Sequence, residues 1–157
     1  MKMNPFAVAV FIAPLLAAWA ATAAEHKDWE TFEKDGKCWA ATAPTFTSGA
    51  ANRNAYLSIT NFPEEGVKGS VAIVSGTDET AKADVVIDVD GATFSALPFG
   101  NAAFTASGNP EAKLISAMLR GRELRVTWNM PSGEKETDIY SLMGFSAAKN
   151  AIDSACR

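Results

Sequence analysis

The residue types able to do chemistry are few in this chain. Two cysteines, Cys38 and Cys156, stand near its opposite ends, and a single histidine, His26, stands near the start. Thiols so far apart do not make the C-x-x-C spacing of a redox centre, so the pair points to one structural disulfide tying the ends of a domain together. Closing about 117 intervening residues stabilises a fold by roughly 4 to 5 kcal/mol on the chain-entropy account, less what strain and residual structure in the unfolded chain remove. His26 is expected in a frayed N-terminal tail, poorly held for general-base work and unable alone to build a metal site. A Ser-His-Asp or Cys-His arrangement would have to use this one imidazole, and no G-x-S-x-G segment positions a nucleophile. The expectation is therefore no catalytic residue, no metal ligand and no cofactor.

The remaining polar clusters read as turns and solvated faces. Asp88-Val89-Asp90-Gly91 has the alternate aspartates that open a calcium loop but lacks the downstream Glu and the intervening oxygen ligands, so a hairpin turn is expected. Gly66-Val67-Lys68-Gly69-Ser70 lacks phosphate-loop spacing and leads into a strand where that loop needs a helix. The carboxylate pairs Glu64/Glu65 and Glu134/Glu136 are a possible acid-base couple for glycoside hydrolysis, but their neighbours predict a solvated loop and an exposed strand face.

Residues 1–23 have the three parts of a secretory signal: a positive start at Lys2, an apolar run from Phe6 to Trp19, and small residues at Ala21-Thr22-Ala23. The apolar run is about 14 residues and contains Pro14, whereas a membrane span needs roughly 20. The expected product is one domain over residues 24–157, periplasmic or secreted, with no membrane span once the signal is cleaved. Loss of Lys2 leaves 13 basic against 18 acidic side chains, a net charge of −5 with His26 neutral. That balance argues against a nucleic-acid partner, and Arg120, Arg122 and Arg125 read as solvated surface around a helix end.

The elements that would position any site are mostly strands. Leu57/Ile59, Val71/Ile73, Val85/Ile87/Val89 and Leu124/Val126/Trp128/Met130 fall on alternate positions, with Ser58, Thr60, Asp84, Asp88, Asp90, Arg125, Thr127 and Asn129 on the opposite faces, the period of an antiparallel sheet with one wet face. Runs at 29–33, 37–43, 92–97 and 136–142 bring the total to about eight strands, the number of a two-sheet sandwich. Asp90-Gly91 and Pro131-Ser132-Gly133 predict hairpin turns, and residues 44–54 and 99–109 read as loops. Two segments have helical spacing. Asn109-Pro110 starts one that buries Ala112, Ile115, Met118 and Leu119 and stops at Gly121; the other, from Ser146, places Ala148, Ala151, Ile152 and Ala155 on one stripe and carries Cys156 toward Cys38.

Trp29, Trp39 and Trp128 are expected in the core, Trp39 as a shield for the neighbouring Cys38 sulfur. Phe46, Phe62, Phe99 and Phe104 fall in or near loops, where joint exposure would make an apolar patch suited to a partner protein.

Asp28-Trp29 with Cys38-Trp39 ten residues on, the helix end Ala117-Met118-Leu119-Arg120-Gly121, and the close Ser141-Leu142-Met143-Gly144-Phe145-Ser146-Ala147-Ala148 before Cys156 resemble the invasion-associated locus B family of bacterial envelope proteins. The resemblance spans essentially the whole chain after the signal. It implies a secreted or periplasmic β-sandwich of immunoglobulin-like shape, with members linked to host-cell invasion by some pathogens, and it supplies no catalytic residues. The function expected is non-enzymatic binding of a protein, envelope or host-surface partner, with no binding residues assigned. The rival is a small-ligand carrier or enzyme using a pocket between the sheets or beside the Asn109–Arg120 helix.

Overall fold

The computed structural model describes residues 22–49 and 53–157; most of the expected signal, residues 1–21, lies outside them. Among the described residues there are eleven strands: β1 (Thr22–His26), β2 (Trp29–Lys34), β3 (Lys37–Thr42), β4 (Phe46–Thr47), β5 (Tyr56–Phe62), β6 (Val67–Val74), β7 (Val85–Val89), β8 (Ala92–Phe99), β9 (Ala102–Phe104), β10 (Glu123–Asn129) and β11 (Lys135–Ser141). The same residues form two helices, α1 (Asn109–Arg120) and α2 (Phe145–Ala155).

Every strand pair is antiparallel, and the order is β1-β2-β3-β5-β6-β9-β8-β7-β10-β11-β4. The strand count predicts a sandwich of two sheets, and the family resemblance implies an immunoglobulin-like shape; the ladder instead runs unbroken through all eleven strands. The cause is β8. Its eight residues pair with β7 through Ala92–Ala96 and with β9 through Leu97–Phe99, so one strand serves both flanks of a single curled sheet, a half-barrel. The flanks also meet across the opening. Asp28 N–H donates to Met143 O (3.3 Å), Trp29 Nε1–H to Ser141 O (3.0 Å), and Ser141 Oγ–H to the Asp28 carboxylate (2.6 Å).

The alternation expected from the sequence is kept. Leu57, Ile59, Val71, Ile73, Val85, Ile87, Val89, Leu124, Val126, Trp128 and Met130 are all buried, in one core shared by both flanks and both helices. At the β7–β8 hairpin, Asp90 and Gly91 both take positive φ (47° and 96°), the requirement of a two-residue primed turn. Gly133 N–H closes the β10–β11 turn onto Met130 O.

Three expectations change. His26 is no frayed tail: it lies in β1 opposite Trp29, with Nε2 3.3 Å from Thr31 Oγ1. Residues 44–54 and 99–109 each contain a short strand, β4 and β9, of two and three residues, too short to show a period. Helix α1 buries Glu111, Leu114 and Met118, while Leu119 is exposed. Gly121 ends α1 by lack of bulk, since its φ is ordinary and a Cβ there would press on Val89 and Leu142 side chains.

Candidate functional site

Three constellations have the density of interactions that a site requires. The first holds α2 on the sheet. Cys38, buried on β3, is bonded to Cys156 at the end of α2 (S–S 2.06 Å, Cα–Cα 5.9 Å). Phe145 at the other end packs on Trp29, ring centroids 4.9 Å apart. Between them Asn61, on the inward parity of β5 with Leu57 and Ile59 and beside a register shift, has its amide oxygen accepting Gly69 N–H (2.9 Å) and its Nδ2–H donating to Asp153 (2.8 Å). Burial acts to raise the Asp153 carboxyl, but hydrogen bonds from Lys149 and Asn61 outweigh it and hold the carboxyl below the usual range. All of these contacts tie elements together; none faces an open cavity with an unpaired group.

The second is a buried charge cluster. Arg53 and Asp138 are almost wholly removed from solvent and form an ion pair. The Arg53 guanidinium also donates to Ser75 O (2.7 Å) and Ser48 O (2.8 Å), and Glu136 lies 3.4 Å away. Trp128 Nε1–H donates to the other Asp138 oxygen (2.8 Å). Burial raises the Asp138 carboxyl above its ordinary value against the opposing effects of Trp128 and Arg53, and burial likewise raises Tyr140, two residues along β11. The chain at Asn54–Ala55 passes so close to Gly76 that a Cβ there would stand 2.5 Å from Asn54 N, and Gly76 has φ +72°. One guanidinium thus fastens the segment after β4, the end of β6 and β11 to one another.

The third lies on the convex side. Directly opposed residues of neighbouring strands share a face, and the register gives a continuous row Glu30–Ala41–Ser58–Ala72–Phe104–Leu97 beside a second, Tyr56–Val74–Ala102–Phe99. Apart from Glu30 at one end the rows carry no charge. Phe99 is 78% exposed and Leu97 58%, with Tyr56 and Phe104 also exposed. Outward residues of β8 change character along the strand: Thr93 and Ser95 in the half paired to β7, Leu97 and Phe99 in the half paired to β9. A single exposed Leu is unremarkable, but several large apolar side chains in adjoining rows form a patch. On the same convex side, Phe32 and Trp39 stack at 5.3 Å.

The residues singled out in the sequence distribute as follows. Phe99 and Phe104 come together on this face; Phe46 is exposed on β4, and Phe62 is half-buried under the Lys37 ammonium. Trp29 and Trp128 are core residues, but Trp39 points away from Cys38, since adjacent strand residues face opposite ways, and so does not shield the disulfide. Asp88 and Asp90 accept N–H groups from Gly91 and from Arg122 and Glu123, which makes them turn and strand-end caps. Glu64 and Glu65 form an exposed 3-10 turn, whereas Glu136 is mostly buried beside Arg53, against the expectation of an exposed face. Among the described residues no group of three or more His, Cys, Asp or Glu is placed to hold a metal ion. Sequence reasoning missed Arg53, which sits in a segment of small polar residues. The signal for it was Asp138, a carboxylate at an inward position of β11, which needs a cation.

Comparison with known proteins adds the family. The sequence matches the family described as invasion associated locus B (IalB) protein over residues 19–153. A search of curated protein sequences finds no match. Among solved structures, the crystal structure of invasion associated protein b from Bartonella henselae superposes with a TM-score of 0.61 at 17% identity, covering 85% of this chain and 97% of that one. At that identity the likeness is one of fold. The family match, which spans nearly all of the chain, decides membership: this protein belongs to the invasion associated locus B family.

Proposed function

We infer that this protein is an exported, non-enzymatic component of the bacterial envelope that works by binding, and that the convex face of β5, β6, β9 and β8 is its contact surface for a protein or cell-surface partner. The observation that carries this reading is the pair of uncharged rows ending in Leu97 and Phe99, on a sheet whose opposite face already has a complete core. Apolar area of this kind costs solubility unless something covers it. Membership in an invasion-associated family is in keeping with such a role.

Export fits the N-terminal pattern, with residues 1–23 removed and residues 24–157 retained as one domain. Cleavage after Ala23 removes Thr22 and Ala23 and leaves Ala24, Glu25 and His26 paired with Thr31, Glu30 and Trp29, so the processed chain keeps the last three residues of β1. An oxidising compartment would keep Cys38–Cys156 closed. On this reading the two flanks of the curled sheet act like the facing layers of an immunoglobulin-like sandwich, a rigid frame that presents one face.

The test replaces Leu97 and Phe99 with serine in the oxidised, processed protein and measures the fraction retained on envelopes or host-cell surfaces, with thermal unfolding in parallel. An unchanged unfolding temperature with retention reduced to that of an unrelated secreted domain is the expected result. Retention equal to that of the parent overturns the assignment of this face.

A further inference from the structure

A cleft of about 420 Å³ opens between β8 and the start of α1, at the place where β8 passes from β7 to β9. We propose that it binds a small amphiphile with an apolar body and a single anionic head, of the fatty-carboxylate class. Its volume falls within the roughly 300 to 1,000 Å³ of small-molecule sites. Its walls are Phe94 and Leu97 from β8 and Ala106 and Pro110 from the α1 side. Phe94 is packed against the core from beneath, so the cleft has a fixed apolar floor.

The polar end of the ligand is set by α1. Lys113 lies one helical turn after Pro110 and lines the same cleft, and it makes no ion pair among the described residues. The first turn of the helix has no side-chain cap, because Gly108 occupies the capping position, and Pro110 contributes no N–H. Glu111 does not neutralise this end. Its carboxylate is turned inward, where Oε1 accepts Val71 N–H (2.7 Å) and Thr105 Oγ–H (3.1 Å), closing the part of β6 that β9 is too short to pair. The acidic group on the β8 side is Asp84, which accepts the Ser95 hydroxyl at 3.1 Å. A cation on the helix side over an apolar floor selects a head of negative charge.

The proposal is independent of the convex-face reading: Leu97 borders both surfaces, but Phe99, Tyr56 and Phe104 take no part in the cleft. The test titrates the oxidised, processed protein with 11-(dansylamino)undecanoate below its micelle concentration and follows displacement by dodecanoate, dodecanol and dodecyltrimethylammonium. Saturable binding is expected, with dodecanoate the best competitor. Ala106→Trp, a change at an exposed position that fills the cleft, should abolish the signal. Lys113→Glu should weaken dodecanoate by roughly fivefold, the fold-change of one partly exposed ion pair, while strengthening the cationic competitor. Phe99→Ser should leave all constants unchanged. Absence of saturable binding, unaltered binding in Ala106→Trp, equal competition by all three amphiphiles, or association only with dodecanoate-containing vesicles would each overturn the proposal.

Discussion

The Arg53–Asp138 cluster and the convex face of β8 and β9 invert each other. In the first, full charges stand where apolar packing is the rule; in the second, Leu97 and Phe99 stand where water is. Each departs from the binary pattern of an antiparallel sheet, and the two departures have different physical consequences. A buried charge that loses its partner costs stability at once. An exposed apolar side chain contributes little to stability and gains its value when something covers it. Substitutions in the buried clusters should therefore change folding without changing surface adhesion, and substitutions on the convex face should do the reverse.

The largest effect is expected at the disulfide. Cys38→Ser with Cys156→Ser, or reduction of the parent, should lower the unfolding free energy by about 3 to 4 kcal/mol, somewhat below the chain-entropy value for so long a loop. Urea unfolding with and without reductant measures it. A loss under about 1 kcal/mol would mean that Phe145, Asn61 and Ile152 hold α2 without the covalent bond, and would remove the clamp from the comparison.

Next in size is Arg53→Met, which strands Asp138 at a position with no solvent exposure and should cost about 3 kcal/mol. The double variant Arg53→Met/Asp138→Leu should recover most of that loss, because two apolar residues of similar volume replace the pair. The sign of the pH dependence follows from the raised Asp138 carboxyl. A carboxyl that titrates higher folded than unfolded contributes stability fully present below its unfolded value and lost as pH rises through its folded value. The deficit of Arg53→Met should accordingly shrink as the solution is acidified into the carboxylate range, where Asp138 takes up a proton. A deficit that grows on acidification would place the cost elsewhere.

Much of this was legible from residues alone where periodicity was long. Alternation over seven residues in β10 named every buried side chain of that strand, and Asp90-Gly91 named the β7–β8 turn. Legibility failed where a residue's role depends on a distant partner. Arg53 becomes structural only because Asp138 arrives from β11, 85 residues on. Single-strand periodicity likewise could not tell a sandwich from a continuous curled sheet, because both bury the same faces; the division of β8 between β7 and β9 decides it. The convex patch left a trace that was readable: after Ala96, the run Leu97-Pro98-Phe99 is apolar on both parities, which one-sided burial does not require.

A smaller effect belongs to Asn61. Asn61→Ala removes the acceptor for the buried Gly69 N–H and the donor to Asp153, and should cost about 1 to 2 kcal/mol in urea unfolding. Asp153, held below the usual carboxylate range, contributes stability present above its unfolded value and lost as pH falls through its folded value. The acid limb of the stability curve should therefore be less steep in Asn61→Ala than in the parent. An unchanged limb would assign the Asp153 shift to Lys149 and Lys68.

The smallest folding effect and the most informative one come from the convex face. Leu97→Ser and Phe99→Ser should each leave the unfolding free energy within about 0.5 kcal/mol of the parent, as surface substitutions do when no cap, charge or cavity is involved. Retention on an octyl matrix should fall stepwise, most for Phe99, whose ring is the more exposed. Arg53→Met, still folded in the absence of denaturant, should elute with the parent. If the serine variants instead unfolded easily, the outer rows would be packing surface, and the contrast between a region built for folding and one left for contact would not hold. If they remained stable and eluted unchanged, the exposed rings would make no contact surface, and the binding reading of this face would lose its support.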